Sequence, residues 1–548
     1  MNAERLLTTI SKIGDDPDRI QQLRKVAVAL ATSGKLNGVA TSLRPDVLIK
    51  HGALPKQTKF AEVAEGQVPE FFSDPSRFAP LGALARIEKG QTGIQQARPG
   101  PFPLVVTAVE RASCDHFDFE GAAAIVPLVS SAGHGKASLN RLHYQEGQFA
   151  LGTILVALFP HDPNLISARF LFEYLSAFKD ELLVSRMTGT ANVTLTVGRI
   201  ADVPIPLIPP EIQSKVDELM ALCDRLASAR GKREATRDRL TAASLGRLNV
   251  PDPDTFRDDA RFALDVLPAL TARPDQIKQL RQTILNLAVR GMLLPQNPND
   301  EPAFELLKRI AVEKAQLVRE KEIRRKAPQK PISLQDEPFS VPNGWLWCRL
   351  GDLFNLVTDG AHHTPRYLDS GVPFLSVKDV SSGRIAFDNV KYISEEQHAD
   401  LCQRCCPEHG DILLTKVGTT GIAVPIDTER QFSIFVSLAL LKFSKQNLSQ
   451  KYLCHLINSP FVRQQSAENT QGIGNQNLVL RLINDFVLPI PPLTEQHRIV
   501  AKVNELMALC DQLEASLTTG DDTRRRLLDA LLADALAPDG ERELEAAE

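Results

Sequence analysis

Val216-Asp-Glu-Leu-Met-Ala-Leu-Cys-Asp-Arg-Leu226 returns almost unchanged as Val503-Asn-Glu-Leu-Met-Ala-Leu-Cys-Asp-Gln-Leu513. The register continues without a gap, so Thr236, Arg237, Arg239 and Leu240 fall on Thr523, Arg524, Arg526 and Leu527. A repeat of this kind constrains the architecture before any local pattern is read. Both copies carry a narrow apolar seam with alternating steps of four and three: Ile212, Val216, Leu219, Cys223 and Leu226, then Ile499, Val503, Leu506, Cys510 and Leu513. That spacing is the a/d pattern of a coiled coil. The stripe is too narrow to face a globular core and suits one partner helix, the other copy being the nearest candidate. At 1.5 Å rise per residue each helix spans roughly 55 Å, the length of a rigid rod.

A second repeat precedes each long helix. Pro17, Asp18, Ile20, Gln22, Leu23, Arg24, Leu30, Ala31, Gly34 and Leu36 match Pro274, Asp275, Ile277, Gln279, Leu280, Arg281, Leu287, Ala288, Gly291 and Leu293. A capping aspartate, a first-turn proline and a terminal glycine mark the first of these as a helix. Further helices are expected at about 274–290 and 302–325, and residues 51–75 and 249–270 read as connections. Between the helical stretches the texture turns β-like, with short apolar runs at Leu104–Val109, Ala123–Val129 and Thr153–Phe159, broken by Gly and Pro. Arg169–Phe178 suits one short helix. Residues 342–490 repeat that texture: Leu350-Gly-Asp-Leu353 echoes Leu81-Gly-Ala-Leu84, and Gly410-Asp-Ile-Leu-Leu414 echoes Gly152-Thr-Ile-Leu155. The frames match while the middles of the two β-rich segments differ. The expected fold is α+β: two β-rich domains in pseudo-twofold arrangement, separated by two long antiparallel coiled-coil helices. The segments are 1–75, 76–210, 211–341, 342–492 and 493–548.

The chain has 548 residues, too many for one core, with 43% hydrophobic and 24% charged residues. A net charge of −4 gives no support to a generic nucleic-acid or membrane-surface binder. No apolar run reaches the length of a membrane span, and Met1-Asn-Ala-Glu-Arg lacks an apolar signal core. Eight scattered cysteines, two of them in the helical seam, suggest a reducing, cytoplasmic setting.

No catalytic constellation stands out. Gly133-His-Gly-Lys-Ala137 lacks the glycine spacing and the Ser or Thr of a phosphate loop. There is no Asn/Asp-Pro-Pro-aromatic loop of the kind that positions an amino group for methyl transfer. Pro45-Asp46 with Lys50 is an incomplete nuclease pattern. His398, Cys402, Cys405, Cys406 and His409 include a Cys-x-x-Cys, but no second pair completes a zinc site, and the segment also reads as an amphipathic turn. His362 and His363 beside Asp359 are adjacent, and neighbours on a strand face opposite ways. No metal is therefore expected. The basic run Arg319–Lys330 reads as a solvated helix end.

The β-rich segments do carry hydrogen-bonding loops. In the first these are Lys89, Gln91, Thr92, Gln95, Gln96, Arg98, His134 and Lys136. In the second they are His362, His363, Thr364, Arg366, Lys378, Lys416, Thr419, Thr420, Asn475, Gln476 and Asn477. Arg and Lys suit guanine O6/N7, and Asn and Gln suit adenine N6/N7. The same residues also fit plain polar surface.

Taken together the chain resembles the specificity subunits of type I restriction–modification systems. The likeness rests on Pro342-Asn-Gly-Trp345, Leu350-Gly-Asp-Leu353, Asp359-Gly-Ala-His-His-Thr-Pro365, Val372-Pro-Phe-Leu-Ser-Val-Lys-Asp379, Gly410-Asp-Ile-Leu-Leu414, Pro489-Ile-Pro-Pro-Leu-Thr-Glu-Gln496 and the doubled helices. The first domain departs from it: Lys89-Gly-Gln-Thr-Gly93 replaces the Gly/Thr-Pro turn, and no tryptophan precedes Leu81. The resemblance implies two target recognition domains, each reading one half of a bipartite, asymmetric site on double-stranded DNA. The paired helices would set the spacer and dock two modification subunits. The chain would be non-catalytic. S-adenosylmethionine and adenine methylation would belong to the modification subunits; ATP, magnesium and cleavage would involve the restriction subunits.

Overall fold

The computed structural model describes residues 17–32, 44–45, 48, 63, 68, 75–132, 135–325, 329–472 and 476–536. They fall into two compact units, one running to Ala235 and resuming at Gly520, the other Thr236–Thr519. The 51–75 connection lies almost wholly outside the described residues.

The first unit opens with α1 (Pro17–Thr32), whose Leu23 and Val26–Ala31 are buried. A β-rich domain follows: β1 (Phe78–Pro80), α2 (Leu81–Leu84), β2 (Ala85–Lys89), β3 (Phe102–Val105), β4 (Ala112–Cys114), β5 (Phe119–Glu120), β6 (Ala123–Pro127), β7 (His143–Gln145), β8 (Gln148–Leu151) and β9 (Leu155–Pro160). Next come α3 (Ala168–Ala177), α4 (Lys179–Leu182), α5 (Val197–Ala201) and β10 (Pro204–Pro206). One sheet has the order β2-β9-β6-β7 and a second β4-β3-β8-β5, while β1 pairs with β10 at the ends of the domain. All pairings are antiparallel except β3 with β8. The interior strands β6 and β9 are apolar nearly throughout, as strands covered on both faces must be. α3 starts at Ser167, whose side chain accepts from Phe170 N, and it lays Phe170, Leu171 and Tyr174 into the core. The long helix α6 (Pro210–Asn249) follows directly.

The second unit holds the remainder of α6 and then α7 (Phe256–Asp265) and α8 (Leu267–Leu270). The stretch 249–270 is thus not a bare connection: Phe256, Ala260 and Ala263 pack on Leu245 and Leu248. Its prolines and aspartates hid an apolar spacing of four and three residues. α9 (Pro274–Val289) repeats α1, and α10 (Ala303–Arg319) follows. α9 ends on Gly291 at φ 69°, with Met292 N donating to Leu287 O at 3.0 Å, a helix stop that requires the left-handed region.

The second β-rich domain comprises β11 (Leu346–Arg349), α11 (Leu350–Leu353), β12 (Phe354–Asp359), β13 (Val372–Leu375), β14 (Lys391–Ile393), α12 (Glu395–Cys402), β15 (Ile412–Thr415), β16 (Ala423–Pro425), β17 (Ser433–Ile434) and β18 (Leu438–Phe443). It ends with α13 (Gln450–Asn458), α14 (Pro460–Glu468), β19 (Thr470–Gln471), β20 (Asn477–Leu478), α15 (Leu480–Asn484) and β21 (Val487–Ile490). α16 (Leu493–Leu536) is the second long helix. Its sheets run β12-β18-β15-β16 and β14-β13-β17, with β13 parallel to β17 and β11 paired with β21. The four-stranded sheet, the parallel pair and the terminal pair repeat the first domain, built from segments whose middles barely match in sequence; the second sheet lacks a counterpart of β5.

The seam residues have partners inside their own unit. Val216 and Leu219 join the core that contains Val26–Ala31 of α1, and Cys223 is buried one turn further on. Ile499, Val503 and Cys510 join the core containing Ile277, Ile284 and Ala288 of α9, with Leu506 and Leu513 at its margin. Ile212 is partly buried against the first core, whereas Leu226 is 37% exposed. Over these turns the short helix of the same repeat packs on the seam.

One buried glutamine fastens each β-rich domain to its long helix. Gln213 accepts from Ser167 N at 2.9 Å and donates to Leu165 O and Ile208 O. Gln496 accepts from Ser449 N at 3.0 Å and donates to Pro491 O. Both hold the N-cap serine of the equivalent helix, α3 or α13.

Candidate nucleic-acid interface

In the second domain three loops meet at the end of the β12-β18-β15-β16 sheet: those after β12, after β15 and before β20. Backbone bonds join the last two to each other and tie the first two to β17 and the turn before β18. Ala361 N donates to Ile434 O at 2.9 Å, Lys416 N to Ser437 O at 2.9 Å, Gly418 N to Gln476 O at 2.9 Å and Leu478 N to Lys416 O at 2.7 Å. Gly360 permits this convergence, since a Cβ there would lie 1.9 Å from Ile434 O.

Beneath the loops Asp359 is buried and gathers two cationic side chains and an imidazole. Lys416 Nζ lies 3.0 Å from its carboxylate, His362 Nε2 3.0 Å and Arg404 Nη2 3.5 Å. Arg404 also donates to Asp359 O at 2.8 Å and to Gly360 O. A buried carboxylate demands such company, because an uncompensated charge in a low-dielectric site is costly. Lys416 is as buried as Asp359 and so orders the loop from within. His362, His363, Thr364, Arg366, Lys378, Thr419, Gln476 and Asn477 are exposed, while Thr420 is half-buried and bonds Thr470 Oγ1 at 3.0 Å. Asn475 lies outside the described residues. Tyr367, 41% exposed beside Arg366, adds an aromatic face that residue-type reasoning about hydrogen bonds passed over.

The first domain builds the same loop junction with other residues. Thr92 N donates to Leu151 O at 3.0 Å, Leu128 N to Ile154 O at 2.8 Å, Leu195 N to Leu128 O at 2.8 Å and Ser130 N to Val193 O at 3.0 Å. By these bonds Leu128 occupies the place of Lys416. Gly90 matches Gly360, a Cβ there falling 2.1 Å from Gly152 O, and Lys89 stands where Asp359 does. Thr92 is buried; its hydroxyl lies 2.9 Å from Asp118 Oδ2 and 3.1 Å from His116 Nε2, and Asp118 also accepts from Leu151 N at 2.8 Å. Lys89, Gln91, Gln95, Gln96, Arg98 and Lys136 are exposed, and His134 lies outside the described residues. Thr92 and Lys416 were expected at the surface; each is turned inward by a buried aspartate.

The cysteine-rich stretch of the second domain does not gather into a metal centre among the described residues. His398 Nδ1 lies 2.8 Å from Ser433 Oγ, His409 Nδ1 sits 3.6 Å from Glu429, and burial pushes the Cys402 and Cys405 thiols up to about 12. Such thiols stay protonated and inert. All eight cysteines are free. One group that residue spacing did not single out, Cys114-Asp115-His116, does place three ligand-type atoms within 4.8 Å of one another. Among the described residues no helix is long and apolar enough to cross a membrane.

Residues 342–519 match the family model described as the type I restriction modification DNA specificity domain. The chain is 27% identical to the EcoAI type I restriction enzyme specificity subunit of Escherichia coli, over 93% of each chain. It is 25% identical to the EcoEI specificity subunit of the same species, over 94% of each. Among solved structures, a chain reported under "Structural basis underlying complex assembly and conformational transition of the type I R-M system" aligns with a TM-score of 0.50 and 16% identity, over 84% of this chain and 98% of that one.

Proposed function

We infer that this chain, a relative of type I restriction–modification specificity subunits along nearly its whole length with a DNA specificity domain at 342–519, is the DNA-reading subunit of such a complex. Each β-rich domain reads one half of a bipartite, asymmetric target, and the chain itself carries out no bond chemistry. The observation that carries this reading is the doubled loop junction. The order of the four-stranded sheet and the junction's backbone bonds recur, while the residues on them differ, Asp359 and Lys416 in one domain against Lys89 and Leu128 in the other. A shared frame with unlike loops suits two readers with different preferences.

The exposed groups at each junction act in two ways. Arg366, His363 and Lys378 in the second domain, and Lys89 and Arg98 in the first, meet phosphates and guanine edges; Gln91, Gln95, Gln476 and Asn477 suit adenine edges. The buried Asp359–Lys416 pair in the second domain and the Thr92–Asp118 hydrogen bond in the first hold the loops in one geometry, so that these donors need little reordering on binding. A net charge of −4 leaves much of the electrostatic affinity to partner subunits. Two modification subunits bring S-adenosylmethionine and take the target adenine out of the duplex for methylation. Restriction subunits bring ATP, magnesium and cleavage. The setting is the cytoplasm, where the eight free thiols remain reduced.

The test is binding by the complex of this chain with its modification subunits, on duplexes that carry both half-sites, either one, or neither. Both halves are required for tight binding under this reading. Arg366→Ala lowers affinity by roughly tenfold on duplexes with the second half-site intact. Equal binding to scrambled duplexes would remove the assignment.

A further inference from the structure

Cys114, Asp115 and His116 follow one another at the end of β4, where the strand gives way to a bend and the three side chains come to one side. Cys114 Sγ lies 3.5 Å from His116 Nδ1 and 3.8 Å from Asp115 Oδ1, and His116 Nδ1 lies 2.8 Å from Asp115 Oδ1. A tetrahedral zinc ion, with bonds of about 2.3 Å to sulfur and about 2.0 Å to nitrogen, holds those two donors about 3.5 Å apart. The sulfur–nitrogen distance already has that value. The carboxylate needs to open from the imidazole by about half an ångström.

The opposite edge of the imidazole supplies an independent pointer. Thr92 Oγ1 donates to Asp118, so its lone pair accepts from His116 Nε2 at 3.1 Å, and the Asp118 carboxylate stands 3.7 Å from the same nitrogen. This arrangement places a hydrogen on Nε2 and turns Nδ1 toward the Asp115 carboxylate and the Cys114 sulfur. The space between Nδ1 and that carboxylate is one that a proton fills in the metal-free site and that a metal ion can take over. A metal-bound histidine commonly has its other ring nitrogen held by a carboxylate or hydroxyl in this way, which fixes the tautomer.

We propose that Cys114, Asp115 and His116 form a zinc-class divalent metal site in the first β-rich domain. Its donors are one thiolate sulfur, one carboxylate oxygen and His116 Nδ1, with water completing four-coordination. On binding, the Cys114 thiol gives its proton to solvent and the sulfur–metal bond forms, with no change of oxidation state. The ion then ties the end of β4 through His116 and Asp118 to Thr92 and Leu151, and so to the loop that carries Gln91 and Gln95. The inference rests on this geometry and not on the function proposed above.

The test uses the full chain, purified without chelator and loaded with zinc, then with cobalt(II) in its place. The expected result is one tightly held ion per chain, and a cobalt(II) spectrum with a thiolate charge-transfer band. His116→Gln, at an exposed position, and Cys114→Ser each lose the ion and the band while far-ultraviolet circular dichroism stays unchanged. Cys402→Ser keeps both. Absence of tightly held metal in the unaltered chain overturns the proposal, as does retention of the ion and band in His116→Gln. Should Cys114→Ser fail to fold, His116→Gln decides alone.

Discussion

Arg281 Nη2 lies 2.7 Å from the Asp511 carboxylate, and Arg24 pairs with Asp224 in the corresponding place of the other repeat. The methionines match too: Arg281 reaches Met507, Arg24 reaches Met220. Each pair clamps a short helix, α9 or α1, onto the seam of the long helix that ends its own half. The apolar seam sets which face is covered, and the arginine fixes the position along it.

Removing either clamp therefore weakens one unit. Arg281→Ala is expected to destabilise the second unit by about 1 kcal/mol, and Arg24→Ala the first by a similar amount, because both acids are largely solvated. Urea denaturation of the two variants checks this. A double-mutant cycle of Arg281→Ala with Asp511→Ala should give a coupling under about 1 kcal/mol, leaving the rest of the loss to packing of the arginine stem.

The buried glutamines matter more. Gln496→Ala leaves Ser449 N and Pro491 O without partners in a site closed to water, and Gln213→Ala strands Ser167 N and two carbonyls. Each is expected to cost about 2–4 kcal/mol, measured as a fall in unfolding free energy. A loss below about 1 kcal/mol would mean that these bonds do not fasten domain to helix.

Asp359 carries the loop junction of the second domain. Asp359→Asn leaves Lys416 buried without a counter-charge and is expected to cost about 3 kcal/mol. Lys416→Met costs less, since His362 and Arg404 still face the carboxylate. Denaturation series on the two variants should keep that order; the reverse order would place the anchoring charge on the lysine.

The first domain should lose stability in mild acid. Burial foremost, with the positive charge of Arg111 next, holds the His143 imidazole down at about 4. Its Nδ1 lies 3.1 Å from Arg111 Nη1. The unfolded chain takes up that proton near pH 6.5, the native domain only near 4. Stability is thus whole above pH 6.5 and falls as pH drops toward 4, by at most roughly 3 kcal/mol. His143→Gln keeps an acceptor for Arg111 and flattens this part of the profile, as melting temperatures between pH 7 and 4 would show.

The helical frame was legible because helix signals are local and were written twice. The repeat at Val216 and Val503, the proline starts at Pro17 and Pro274 and the glycine stop at Gly291 are each read within a few residues of chain. The strand plan was not. Pairings such as Lys89 with Val156 and Asp359 with Ala439 join distant segments, and no local pattern encodes their register. For the same reason Lys416 and Thr92 passed for surface groups: the aspartates that draw them inward, Asp359 and Asp118, are brought near only by folding. The helix at Phe256–Asp265 was hidden by its own acidic and proline-rich surroundings.

The central claim is that one chain holds two independent readers. Its most direct test is single-molecule sequencing of methylated bases in a host that carries this chain with its modification subunits, before and after residues 76–210 are exchanged for those of a relative. The account predicts a split, asymmetric motif with methyladenine in each half, and a change confined to one half after the exchange. A continuous motif, a change in both halves, or an assembled complex with no motif at all would contradict it.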